Sequence, residues 1–223
     1  MSTRKNILVT SAGKRVELVK AIKNTVSGIL GPDVKVFTTD MNPIMAPAGY
    51  VSDKCIKVPR VTDESYPQIL RDICDKYSVG LLIPTIDTEL LLLSVLYDEF
   101  KAHGTHIAIS DTSFIRQCRD KRMINEFFER HDISIPTPID KNYPTFPCFA
   151  KPYDGSLSAN IHLIRSSEDL TKEILDDPKL MFMEYVDKSV YTEFTIDMYY
   201  GNDGMVKSIV QRQRIEIRAG EIN

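Results

Sequence analysis

The chain has 223 residues, 43% hydrophobic and 26% charged, with a formal net charge of −3, the make-up of a globular protein with enough apolar side chains for a real core. The acidic balance, with a pI near 5.8, excludes the basic footprint of a nucleic-acid binder. The four cysteines, Cys55, Cys74, Cys118 and Cys148, lack the paired spacing of a zinc site and read as reduced core thiols, and no stretch reads as a signal peptide or a membrane span.

From residue 7 to residue 109, apolar runs rich in β-branched side chains alternate with helical patterns. They are ILV at 7–9, a helix from about Lys14, VKVF at 34–37, CIKV at 55–58, a helix over about 64–77, LLI at 81–83, a helix from Glu89 and HIAI at 106–109. This is the rhythm of a parallel sheet covered on both faces, in which ligands bind at the carboxyl ends of the strands. Those ends carry Thr10-Ser-Ala-Gly13, Thr39-Asp40 and Pro84-Thr-Ile-Asp87. The first lacks both G-x-G-x-x-G and the P-loop pattern. Asp40 suits either a ribose or amine contact or the start of a turn before Met-Asn-Pro.

Near Ser110 the pattern changes. Asp111 or Thr112 caps a short helix, and Asp120 caps a second through Phe128, with Ile124, Phe127 and Phe128 as its buried stripe. Lys121 and Arg122 occupy its first turn, the wrong sign for the helix dipole. They are either a solvated pair or the edge of an anion site. Residues 132–147 carry four prolines and read as a connection. Then come CFAK, IHLI at 161–164, a helix from Ser166 or Ser167 to about Asp176, and LMFME at 180–184. Lys151 sits where the first of these strands opens into Asp-Gly-Ser-Leu-Ser. That loop is either a plain hairpin turn or a cradle of backbone N–H groups and two hydroxyls for an anion.

The Gly201-Asn-Asp-Gly204 turn joins two strands. If Tyr200 pairs with Met205, Glu193 lies opposite Arg212. Phe194, Ile196 and Met198 then share an apolar face, and Glu193, Thr195, Asp197, Arg212, Arg214, Glu216 and Arg218 share a charged one.

In order and spacing, the parallel-sheet part with Leu82-Ile-Pro-Thr-Ile-Asp-Thr-Glu-Leu90, the helix opening Asp120-Lys121, Lys151 before a small-residue loop, Met183-Glu-Tyr-Val186 and Glu193 resemble the ATP-grasp superfamily, nearest its carbamoyl-phosphate-synthase-like members. The resemblance implies an α/β fold. A Rossmann-like pre-ATP-grasp domain would cover 1–111, connecting helices 112–140, an α+β small lobe 141–186, and the truncated start of the large lobe 187–223. It implies that Lys121 and Lys151 hold nucleotide phosphates, and that Gly155, Ser156 and Ser158 belong to the phosphate lid. The Glu184 carbonyl and the Val186 N–H would pair with adenine, and Glu193 would take the ribose hydroxyls.

The implied activity is that of an ATP- and Mg²⁺-using cytoplasmic ligase that makes an acyl phosphate from a small carboxylate for attack by an amine or similar nucleophile. No catalytic residue or metal ligand is assigned, no nucleic-acid or membrane partner is implied, and a homo-oligomer stays open. The family's metal-binding acids lie beyond the last element present, so this chain is expected to bind ATP weakly and to be inactive alone. A Rossmann-type dinucleotide oxidoreductase and a non-catalytic nucleotide or metabolite binder remain as alternatives.

Overall fold

Strand β1 (Asn6–Thr10) is apolar on both faces because helices cover both. The computed structural model describes residues 4–155, 159–201, 203–215, 217, 218, 221 and 222, and the chain divides into two units, 1–116 and 117–223.

In the first unit β1 is followed by α1 (Val16–Leu30), β2 (Val36–Asp40), α2 (Pro47–Val51), β3 (Lys54–Lys57), α3 (Tyr66–Lys76), β4 (Val79–Pro84), α4 (Asp87–Val95), α5 (Tyr97–Ala102) and β5 (His106–Ile107). The sheet order is β3-β2-β1-β4-β5, every pairing parallel. Side-chain alternation splits the core in two. Leu8 joins Phe37, Tyr66, Leu70, Ile73, Leu82 and Leu93 on one face, while Ile7 and Val9 join Val19, Val36 and Ala48 on the other. Helix α3 buries Tyr66, Leu70, Ile73 and Cys74, the spacing of one helical stripe. Two features differ from the sequence reading. Helix α2, with Pro47 in its first turn, was not expected, and it lies against β3 because Gly49 leaves room there: a Cβ would sit 2.7 Å from that of Cys55. The single helix expected from Glu89 is two, because the turn at Leu96 separates α4 from α5.

Helix α6 (Thr112–Arg119) starts on the Asp111 carboxylate, which accepts from Ser113 N and Phe114 N. The second unit continues with α7 (Lys121–Arg130), β6 (Pro138–Ile139), β7 (Cys148–Pro152), β8 (His162–Ile164), α8 (Lys172–Asp176), β9 (Leu180–Glu184), β10 (Phe194–Tyr200) and β11 (Val206–Gln213). Asp120 caps α7 as expected. The stripe of Ile124, Phe127 and Phe128 is half-buried rather than buried. The proline-rich segment is more than a connection, since β6 adds to β9 as an edge strand, where a proline is tolerated. The helix expected from Ser166 resolves into a 3-10 turn over Ser167–Asp169 and a separately capped α8, because Leu170 and Thr171 are extended. The antiparallel sheet runs β6-β9-β7-β8. Cys148, Ala150, Ile164, Leu180 and Phe182 pack with Ile174 on one face. Of the cysteines, Cys74 and Cys148 are core thiols, whereas Cys55 is half-buried and Cys118 exposed.

The hairpin register differs from the simple expectation by two residues. Gly204, at φ +73, donates its N–H to the Gly201 carbonyl, and Gly201 pairs with Met205. A bulge beside Tyr199 then places Ser208 opposite that residue. Each departure shifts the pairing by one residue, so together they preserve which face each side chain occupies. Arg212 therefore stays on the charged face but lies opposite Thr195, and it is Arg214 that meets Glu193. Phe194, Ile196 and Met198 are each more than half exposed.

Candidate functional site

In the second unit, the β7–β9 register pairs Phe149 with Met183 and Lys151 with Met181, and the β7–β8 register pairs Phe149 with Leu163. These side chains alternate with the core set, so they form the opposite face of the sheet. One further step along each ladder adds Pro147, Arg165 and Tyr185, and these three line one cavity of about 470 Å³ with Leu163 and Asp187. The face has a lysine at one end, an apolar floor of Phe149, Leu163 and Met183, and a mixed polar group at the other end. Four residue steps along the line of β7 carry the chain from Lys151 back to Pro147, about 13 Å.

Lys151 is half-buried. Burial, and next the charge of Lys121, hold its pKa below the usual lysine value. No carboxylate pairs with it among the described residues. Lys121 comes from the first turn of α7. Its backbone N–H donates to the Tyr153 carbonyl at 2.9 Å, and its Nζ donates to the Gly155 carbonyl at 2.6 Å. The helix start is thereby fixed to the base of the loop that follows β7. Arg122 belongs elsewhere: it forks onto its own cap, Asp120, at 3.0 and 2.6 Å, and lies 3.5 Å from the centroid of the Tyr153 ring. An ammonium short of counter-charge beside a second ammonium is costly without an anion.

The other expected residues fall as follows. The Glu184 carboxylate accepts from Thr137 N and Oγ1 at 3.2 and 3.0 Å, which leaves its side chain occupied at the start of β6. Val186 is exposed and, unlike its neighbours Tyr185 and Asp187, does not line the cavity. Glu193 sits between Lys188 at 2.9 Å and Arg214 at 2.5 Å, and Arg212 forks onto Asp197. Ser156, Ser158 and Glu216 lie outside the described residues, as does the side chain of Arg218. Arg165, Tyr153, Tyr185 and Asp187 were not singled out from sequence. Their alternation within each strand is legible there, but the register that aligns β8 and β9 with Lys151 depends on the lengths of the intervening loops.

At the carboxyl ends of the first sheet, Glu89 is fully buried. It accepts from the hydroxyls of Thr10, Ser11 and Tyr66, and the buried Tyr66 phenol is pushed far up, by burial first and then by Glu89. The loop above is internally satisfied. Ser11 N donates to Thr39 Oγ1 at 3.3 Å and Ala12 N to the Thr39 carbonyl at 3.2 Å. Two N–H groups that a dinucleotide pyrophosphate would need are thus taken. Asp40 accepts from Asn42 N at 2.8 Å, which makes it a turn residue.

Among the described residues no cluster of three or more His, Cys, Asp or Glu side chains could hold a metal ion. No helix of the described residues is long and apolar enough to cross a membrane.

Residues 7–108 match the family model described as the PylC-like N-terminal domain. No curated protein matches the sequence. Among solved structures, the chain is similar to N5-carboxyaminoimidazole synthetase from Staphylococcus aureus complexed with ADP, with TM-score 0.69, 16% identity, and 100% of this chain and 57% of that chain covered. It is also similar to the biotin carboxylase domain dimer of Hydrogenobacter thermophilus 2-oxoglutarate carboxylase in complex with MgADP, ADP and bicarbonate, with TM-score 0.72, 14% identity, and 100% and 52% covered. A third is the β-γ-ATP complex of biotin carboxylase from Campylobacter jejuni, with TM-score 0.72, 14% identity, and 98% and 53% covered. The chain spans about half the length of these proteins. At this identity the likeness shows the fold alone: a five-stranded parallel sheet with its helices, followed by a small antiparallel sheet.

Proposed function

We propose that this chain carries the nucleotide-binding part of an ATP-dependent carboxylate ligase of the ATP-grasp type. The observation that carries the reading is the Lys151 face. Lys151 lies at one end of it within reach of the Lys121 charge, an apolar floor suited to a flat base follows, and Tyr185 and Asp187 line the cavity at the far end. A nucleotide laid along β7 would put its phosphates on Lys121 and Lys151, with Gly155, Ser156 and Ser158 beside them. Its base would meet the Glu184 carbonyl and the Val186 N–H. Because the Glu184 carboxylate is held by Thr137, only backbone groups of that residue would read the base. Glu193 would reach the ribose hydroxyls by exchanging one of its two cations.

In the reaction proposed for the whole protein, a carboxylate oxygen of a small acid bonds to the γ-phosphorus while the bond to the ADP oxygen breaks. An amine or similar nucleophile then bonds to the acyl carbon, and phosphate leaves. Lys121 and Lys151 would neutralise and orient the transferring charge. The setting proposed is the cytoplasm. The dinucleotide reading loses support from the occupied Ser11 and Ala12 N–H groups.

The test is titration calorimetry of the 223-residue chain with ATP, beside an assay of ADP release over a panel of small acids. Saturable ATP binding, weakened about tenfold or more by Lys151→Ala, is expected. Binding unaffected by that substitution would overturn the reading.

A further inference from the structure

We infer that Arg165 is a base-contacting residue of this site, its guanidinium set against the purine ring of the bound nucleotide and donating to ring acceptor atoms; the inference rests on the nucleotide reading above. Arg165 follows β8 on the same sheet face as Lys151, one step beyond the Cys148–Ile164 pair. It lines the cavity of about 470 Å³ with Pro147, Leu163, Tyr185 and Asp187. That places it at the opposite end of the face from the lysine pair, about 13 Å along β7. Phosphates drawn to the lysines would leave the base, not further phosphate, within reach of this arginine.

Its point of departure is fixed. Arg165 N and Ser166 N both donate to Asp169 Oδ2, at 2.7 and 3.3 Å, within the capping box that opens the following turn. The guanidinium itself pairs with no carboxylate among the described residues. Asp187, in the same cavity, is engaged with Ser189 N at 2.8 Å. Arginine suits the task because its planar fork can stack on an aromatic ring and donate in the ring plane, neither of which an aliphatic wall provides.

The experiment separates base from phosphate. The full chain, its Arg165→Ala variant and its Lys151→Ala variant are titrated with ATP and with inorganic tripolyphosphate, which has no base. Arg165→Ala is expected to weaken ATP about tenfold and to leave tripolyphosphate unchanged, whereas Lys151→Ala weakens both. Unchanged ATP affinity in Arg165→Ala, with Lys151→Ala still damaging, would overturn the role of Arg165 and leave the nucleotide reading standing. Equal loss of ATP and tripolyphosphate in Arg165→Ala would make it a phosphate ligand and also overturn the inference. Failure of ATP to bind the unmodified chain would remove both.

Discussion

Lys151 places a charge where burial makes it costly to the fold. Burial and the Lys121 charge hold its pKa below the ordinary 10.5. The cost of the buried ammonium is therefore full below its folded-state pKa and vanishes as pH rises to the unfolded-state value. Lys151→Met, which keeps the stem and drops the charge, is expected to stabilise the ligand-free protein by about 1 kcal/mol while weakening ATP binding as Lys151→Ala does. Denaturant melts at about pH 8 and about pH 10 should show the unmodified protein gaining stability relative to the variant at the higher pH. A variant that is less stable at both would contradict this. From sequence, Lys151 was legible by its place at a strand-loop junction. Arg165 was not, because nothing local distinguishes an arginine that meets a cavity from one in water. Glu89 was legible only as a helix start, since its burial depends on the adjacency of β1 and β4.

At the scale of elements, the strands and helices of the first unit follow from periodicity because both faces of each strand are buried and no other pattern satisfies them. The hairpin of β10 and β11 was harder. Its faces were assigned correctly, yet its register was not, because the close at Gly201–Met205 and the bulge before Ser208 each add a residue that composition does not reveal. Lys207 is the residue passed over between Val206 and Ser208, so deleting it should close the bulge and leave the pairing on either side in place. Cross-strand Hα contacts in nuclear Overhauser spectra would report this, with the Thr195–Arg212 pairing of the intact chain kept in the deletion variant. Loss of that pairing would contradict Lys207 as the unpaired residue of the ladder.

Over the whole molecule, stability is unevenly placed. The five-stranded sheet has a closed core on each face, and the small antiparallel sheet has a core on one, whereas β10 and β11 form a two-stranded ladder with side chains exposed along both strands. Two-stranded hairpins are marginal in water. Hydrogen exchange should accordingly find β1 and β4 amides protected about 100-fold or more over those of β10 and β11, and equal protection would contradict that distribution. With no burial to enforce it, the hairpin register rests on Gly204 and the residue at the bulge. A melting curve of the chain reads the cores and passes over this ladder. A substitution that slips the register could re-aim Arg212 and Arg214 without moving the melting temperature, so a screen graded by thermal stability alone would score it as silent while the charge that the face offers a ligand had changed.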